Sequence, residues 1–198
     1  GTVNANAFVG DGSGLTGVGG GALVEYITQV NLSSDSASII IDNAAFNSTS
    51  DYDYLILKGF NIQTSAQASM EFRYRVGGVS QTASKYSSEL YWQFFGGYVV
   101  STSALNRMNF VAYNTNTLQK GNSSQSWINF EMELFHKSGN RKFNARANWN
   151  RGISPIMHIQ SGQYDTSPAI NMGGIEFYMT SGNLSAGSVI KLYGVKEQ

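Results

Sequence analysis

The chain has 198 residues, only 13% of them charged; Lys plus Arg and Asp plus Glu both number 13, so the net charge is zero. A charged share about half the usual quarter leaves Ser, Asn, Thr, Gln and Gly to cover the surface, and the zero balance removes the basic excess expected of a nucleic-acid binder. There are no cysteines, which excludes disulfides and cysteine nucleophiles, and no apolar run approaches the roughly 18 residues of a membrane span.

Gly1 to Gly21, GTVNANAFVGDGSGLTGVGGG, is dominated by glycine and small residues, with Phe8, Leu15 and Val18 as isolated larger apolar groups. Alone, such a segment cannot bury enough surface to offset its ordering entropy. Two readings stay open. One is a flexible linker ending in Gly19-Gly20-Gly21. The other is a segment ordered by wrapping against identical copies, with Phe8, Leu15 and Val18 between chains.

Residues 22–198 read as one β domain. Val24, Tyr26, Val30 and Leu32 share a parity and predict a first strand, with Thr28 the polar exception. SIIID, Ser38 to Asp42, is a short strand. DYDYLILKGFNI, Asp51 to Ile62, is apolar on both parities early, the pattern of a strand buried on both faces. Met70, Phe72, Tyr74 and Val76 alternate with Glu71, Arg73 and Arg75 before a Gly77-Gly78 turn. Tyr91 to Val100 and Met108 to Tyr113 read as further strands. Ile156 to Gln160, Gly174 to Thr180 and Ser188 to Val195 complete the set, with Ser181-Gly182-Asn183 suited to a hairpin or tight bend.

The clearest stretch runs from Trp127 to Trp149. Ile128, Phe130, Met132 and Leu134 alternate with Asn129, Glu131 and Glu133; Phe143, Ala145, Ala147 and Trp149 alternate with Lys142, Asn144, Arg146 and Asn148. A two-residue turn at Gly139-Asn140 pairs Leu134 with Ala145, Met132 with Ala147 and Phe130 with Trp149, and sets Glu133 opposite Arg146. With no helical periodicity over three turns, the whole predicts an all-β, antiparallel, jelly-roll-like β-sandwich. Phe72, Phe130, Phe143 and Phe177 are its expected core aromatics.

Little in this pattern carries catalytic chemistry. His136 and His158 stand on strands without metal-ligand spacing. Glu131 and Glu133 share a strand face and are the closest thing to a glycosidase pair, but a facing arginine favours a solvated ion pair. GDGSG lacks the remaining acidic ligands of a calcium loop. No cofactor or metal site is expected. The 11 Tyr, 11 Phe and 3 Trp offer a different chemistry. An exposed ring beside amide or guanidinium groups can cover the C–H face of a sugar. Trp149-Asn150-Arg151, Tyr113-Asn114 and Tyr164 are the candidates.

Two stretches carry a resemblance. FVGDGSGLTGV, Phe8 to Val18, resembles the F-x-GDGSxLT segments of bacteriophage tail-fibre and appendage proteins. SAGSVIKLYGV, Ser185 to Val195, resembles the ending of the β-sandwich heads that such proteins carry, together with DYDYLILKGFNI, MEFRYRVGG and GGIEFYMTSGN. The resemblance implies a non-enzymatic, homotrimeric virion appendage tip: residues 1–21 as an intertwined stalk, residues 22–198 as the head. It implies attachment to a host-surface glycan or protein, or contact with other virion appendage proteins, without nucleic acid or membrane insertion. The alternatives are a monomeric carbohydrate-binding module, a structural connector in the virion, or a polysaccharide-degrading tailspike acting through Glu131 and Glu133.

Overall fold

The computed structural model describes residues 23–64, 70–82, 86–93, 97–105, 108–111, 126–135, 140–151, 155–165 and 171–197. Their regular structure is all strand apart from one 3-10 turn at Ala44–Phe46 capped by the Asn43 side chain. In chain order the strands are β1 (Leu23–Asn31), β2 (Ser38–Asp42), β3 (Tyr54–Ile62), β4 (Met70–Val76), β5 (Val79–Ser80), β6 (Tyr86–Gln93) and β7 (Gly97–Leu105). There follow β8 (Met108–Val111), β9 (Ser126–Phe135), β10 (Asn140–Arg151), β11 (Pro155–Asp165), β12 (Gly174–Met179) and β13 (Val189–Lys196). An eight-stranded sheet runs β1-β13-β3-β9-β10-β11-β6-β7, and a five-stranded sheet runs β2-β12-β4-β5 with β8 beside β4. Both are antiparallel, and they pack face to face as an all-β sandwich.

Alternation decides which residues meet between the sheets. From the large sheet, Leu55, Leu57, Ile128, Met132, Leu134, Ile190 and Leu192 point inward; from the small sheet come Ile39, Ile41, Met70, Ile175 and Met179. The centre is aromatic. Phe72 stands edge-to-face on Phe143 at 5.1 Å, and Phe130 meets Phe177 at 5.4 Å, so two ring pairs tie one sheet to the other. These are the four phenylalanines expected in the core, and all are buried. Edge-to-face geometry sets the positive rim of one ring against the negative face of the next.

The β9–β10 hairpin has the expected faces but another register. Phe143 lies opposite Leu134, Ala145 opposite Met132, Ala147 opposite Phe130 and Trp149 opposite Ile128; Asn140 belongs to β10 and not to the turn. The ladder is displaced by two residues, which leaves every side chain on its own face, so alternation cannot distinguish the two registers. Sterics can. Phe130 now has Ala147 on one side and Gly59 on the other, two small residues flanking a large ring. The displacement also puts Arg146 opposite Glu131, while Glu133 faces Asn144.

Three further expectations change. A β-bulge at Ile27 breaks β1 between Tyr26 and Thr28, so its apolar residues do not share one face. Val24 and Tyr26 pair with Val195 and Tyr193 on the outer side, whereas Ile27 and Val30 pack on the core. An inserted residue reverses the facing of everything beyond it. Strand β3 is buried on its inner face only: Leu55 and Leu57 are covered, but Tyr54 and Ile56 remain partly open. Tyr91 to Val100 forms parts of two strands, since Tyr91 pairs with Val99 and Trp92 with Tyr98 across the β6–β7 hairpin. The bend after β12 carries the chain between sheets, with Gly182 at φ 68° and Leu184 bridging Ser36 and Thr64.

Candidate functional surfaces

Three surfaces collect the groups able to contact a partner. The first is the outer face of the large sheet at its β1 end. Here one row reads Val24, Val195, Tyr54, and the next reads Tyr26, Tyr193, Ile56, Glu133. Tyr26 stands edge-on to Tyr193 at 5.8 Å and 71°, and Tyr54 lies against Phe135 at 5.6 Å. Val24 and Tyr26 are 60% and 53% exposed. The bulge in β1 turns two large side chains outward, and β3 adds its outer parity. The sequence carried this signal in the doubled apolar parity of Asp51 to Ile62, which read as burial on both sides.

The second surface is a charged row across the same face. Lys58 Nζ lies 2.7 Å from Glu131 Oε2, Lys191 neighbours Lys58, and Arg146 neighbours Glu131. Both partners of this ion pair are well exposed, at 38% and 49% of their side-chain surface. Exposed pairs of this kind contribute at most about 1 kcal/mol each. Glu131 is therefore engaged as one end of a solvated ion pair, and Glu133 lies between Ile56 and Asn144 in its own row.

The third is the outer face of the small sheet. Arg75 donates Nε to Asp42 Oδ1 at 2.8 Å and Nη2 to Oδ2 at 3.1 Å, a bidentate fork, and also donates to Ser80 Oγ at 3.1 Å and to the Gly78 carbonyl. The hydrogen bond to Asp42 raises the Arg75 pKa further above its ordinary value. Ser80 in turn donates to Glu176. Arg73 lies 4.7 Å from the centre of the Tyr178 ring, in a cation–π contact. The Arg75 guanidinium is thus occupied by its own neighbours and holds β2, β4 and β5 together.

Of the candidate sugar-contacting residues, the described part of the structure holds Tyr164 and the strand positions of Trp149, Asn150 and Arg151. Tyr164 is 1% exposed and packs on Tyr74 at 5.6 Å, so its ring belongs to the core and presents no face to a sugar. Its strand, β11, extends to Asp165, and pairing with Arg141 and Tyr86 carries position 164 into the sheet. Trp149, Asn150 and Arg151 end β10, opposite Ile128, Trp127 and Ser126. Tyr113 and Asn114 lie outside the described residues, as do Phe8, Leu15 and Val18. Among the described residues no group of three or more His, Asp or Glu side chains is placed to hold a metal. No family model matches the chain, and no curated protein matches it either.

Proposed function

We propose that this chain is the head and stalk junction of a homotrimeric, non-enzymatic bacteriophage tail fibre or other virion appendage, attaching to a host-surface glycan or protein. Residues 1–21 would form the intertwined stalk and residues 22–198 the head. The reading rests on the two stretches that resemble such proteins, and one geometric observation supports it. Leu23 pairs with Lys196, so the chain enters and leaves the sandwich through neighbouring strands at one end of the large sheet. The SAGSVIKLYGV stretch builds that junction: its strand β13 lies between β1 and β3 and binds both. A sandwich joined to its stalk at one end projects its remaining length away from it, the arrangement an attachment head requires.

Multi-angle light scattering of the full chain at micromolar concentration tests the assembly, with a mass of three chains expected. A monomeric mass would overturn the trimer. Binding to intact host cells tests the attachment role. Saturable binding that falls with Trp149→Ala or Tyr113→Ala, at unchanged circular dichroism, is the expected result. Absence of binding to a panel of bacterial surfaces would leave the connector role in its place.

A further inference from the structure

We infer that the outer face of the large sheet at its β1 edge is a contact between copies of this chain, an inference that rests on the oligomeric reading above and names the surface of the head that takes part. The face is formed by Val24, Tyr26, Tyr193, Tyr54, Ile56 and Phe135. Four adjacent strands at about 4.8 Å spacing make it roughly 15 Å wide. Val195, between Val24 and Tyr54 in the same row, is already fully buried, while Val24 and Tyr26 stay more than half exposed. Large aliphatic and tyrosine side chains bordered on one side by opposite charges have the composition of a protein contact, apolar at the centre and polar at the rim. That rim contains Lys58 with Glu131 at 2.7 Å, and Glu133 beside Ile56.

Five observations select a second copy as the occupant. Strand β1 ends the sheet, with β13 its one neighbour in the strand order of the described residues. Residues 1–22 deliver every chain to Leu23, the first residue of that edge. Copies joined through those residues therefore bring their β1 edges together. The net charge of zero imposes no overall repulsion between identical copies. The bulge at Ile27 interrupts the edge ladder, which blunts strand-to-strand pairing and favours contact through side chains. The rings do not form a flat platform, since Tyr26 stands at 71° to Tyr193, so the face is less suited to stacking a sugar. A standard interface covers about 800 Å² per partner; this patch is the centre of such an area, and its contact adds to that of the stalk.

The absence of native cysteine makes the test direct. Full-length Val24→Cys, treated with a short bis-maleimide, is expected to give covalent dimers on a denaturing gel. Ser181→Cys, exposed in the bend after β12, is expected to give none. If Val24→Cys fails to fold, Tyr26→Cys, on the same face, replaces it with the same expectation. Tyr26→Glu is expected to raise the dissociation concentration of the assembly by about tenfold or more, a change of about 1.4 kcal/mol or more. An oligomeric wild type without cross-linking at either position would overturn this inference and leave the trimer standing. A monomeric wild type would overturn both. Loss of host-cell binding in Tyr26→Glu with assembly unchanged would make the face a receptor surface, and would also overturn the inference.

Discussion

Gly59→Ala is the sharpest test of the packing that sets the hairpin register. A Cβ on Gly59 would lie 2.1 Å from Phe130 Cε1, 2.4 Å from Cδ1 and 2.7 Å from Cζ. Carbon atoms in contact sit about 3.5–4.0 Å apart, so the ring would have to retreat by about 1.4 Å or more. Its room is limited: Phe130 is 5% exposed, faces Ala147 across the hairpin and packs on Phe177 at 5.4 Å. Overpacking of a filled core costs about 1–3 kcal/mol. Against this, Gly→Ala at a compatible backbone stabilises by about 0.4–1 kcal/mol through the unfolded chain. The contact wins over nearly all of that range, leaving a net loss of up to about 2.6 kcal/mol, or up to roughly 10 °C in Tm for a chain of this size. Urea unfolding monitored by tryptophan fluorescence, with an unchanged m-value, measures it. Gly173→Ala is the control, because a Cβ there meets nothing within 4 Å and its backbone is ordinary. A Gly59→Ala protein as stable as Gly173→Ala would refute the account of Phe130 seated on Gly59.

Asn61 has φ 51° and is the one non-glycine residue with positive φ among those described. Asn61→Val is expected to cost about 1–3 kcal/mol, since a β-branched side chain resists this conformation, whereas Asn61→Gly should lose less than about 1 kcal/mol; paired urea titrations compare them. Tyr164→Ala is expected to cost about 3–5 kcal/mol in the same assay, the range for deleting a buried ring; a near-native stability would return Tyr164 to the surface. The Tyr52 hydroxyl is held above its ordinary pKa, first by burial and then by its hydrogen bond to Glu25. Because the folded form holds the proton more tightly than the unfolded chain, the resulting stability is complete below about pH 10 and is lost as pH rises through the higher folded value. Tm recorded from pH 8 to 11.5 should therefore fall more steeply in wild type than in Tyr52→Phe, and parallel profiles would remove the linkage.

What could be read from sequence depended on whether one residue or two decided the question. Facing obeys a period of two, so Phe72, Phe130, Phe143 and Phe177 declared themselves by parity alone, and all four meet in the core. Register is not visible to that rule. The two-residue displacement of β10 keeps each face and is settled by volume across three strands, where Gly59, Phe130 and Ala147 form one row. The hairpin of β6 and β7 was hidden because Tyr91 to Val100 stays rich in strand formers through its own turn. Tyr164 was misplaced because β11 continues beyond Gln160, through a stretch whose pattern is weak.

The bulge in β1 has the larger consequence. A single inserted position at Ile27 converts one apparent apolar stripe into two, Val30 turned inward and Val24 with Tyr26 turned outward. Strand β3 repeats the division, with Leu55 and Leu57 facing the small sheet while Tyr54 and Ile56 face away from it. An apolar residue on the outer parity of an uncovered sheet gains nothing from the sandwich itself, since only the inner face loses water on folding. Here both strands bear such residues, they are neighbours of β13, and they meet at the point where the chain enters from residues 1–22. Doubled apolar parity in a strand with only one covered face therefore marks the surface on which the proposed contact between copies rests.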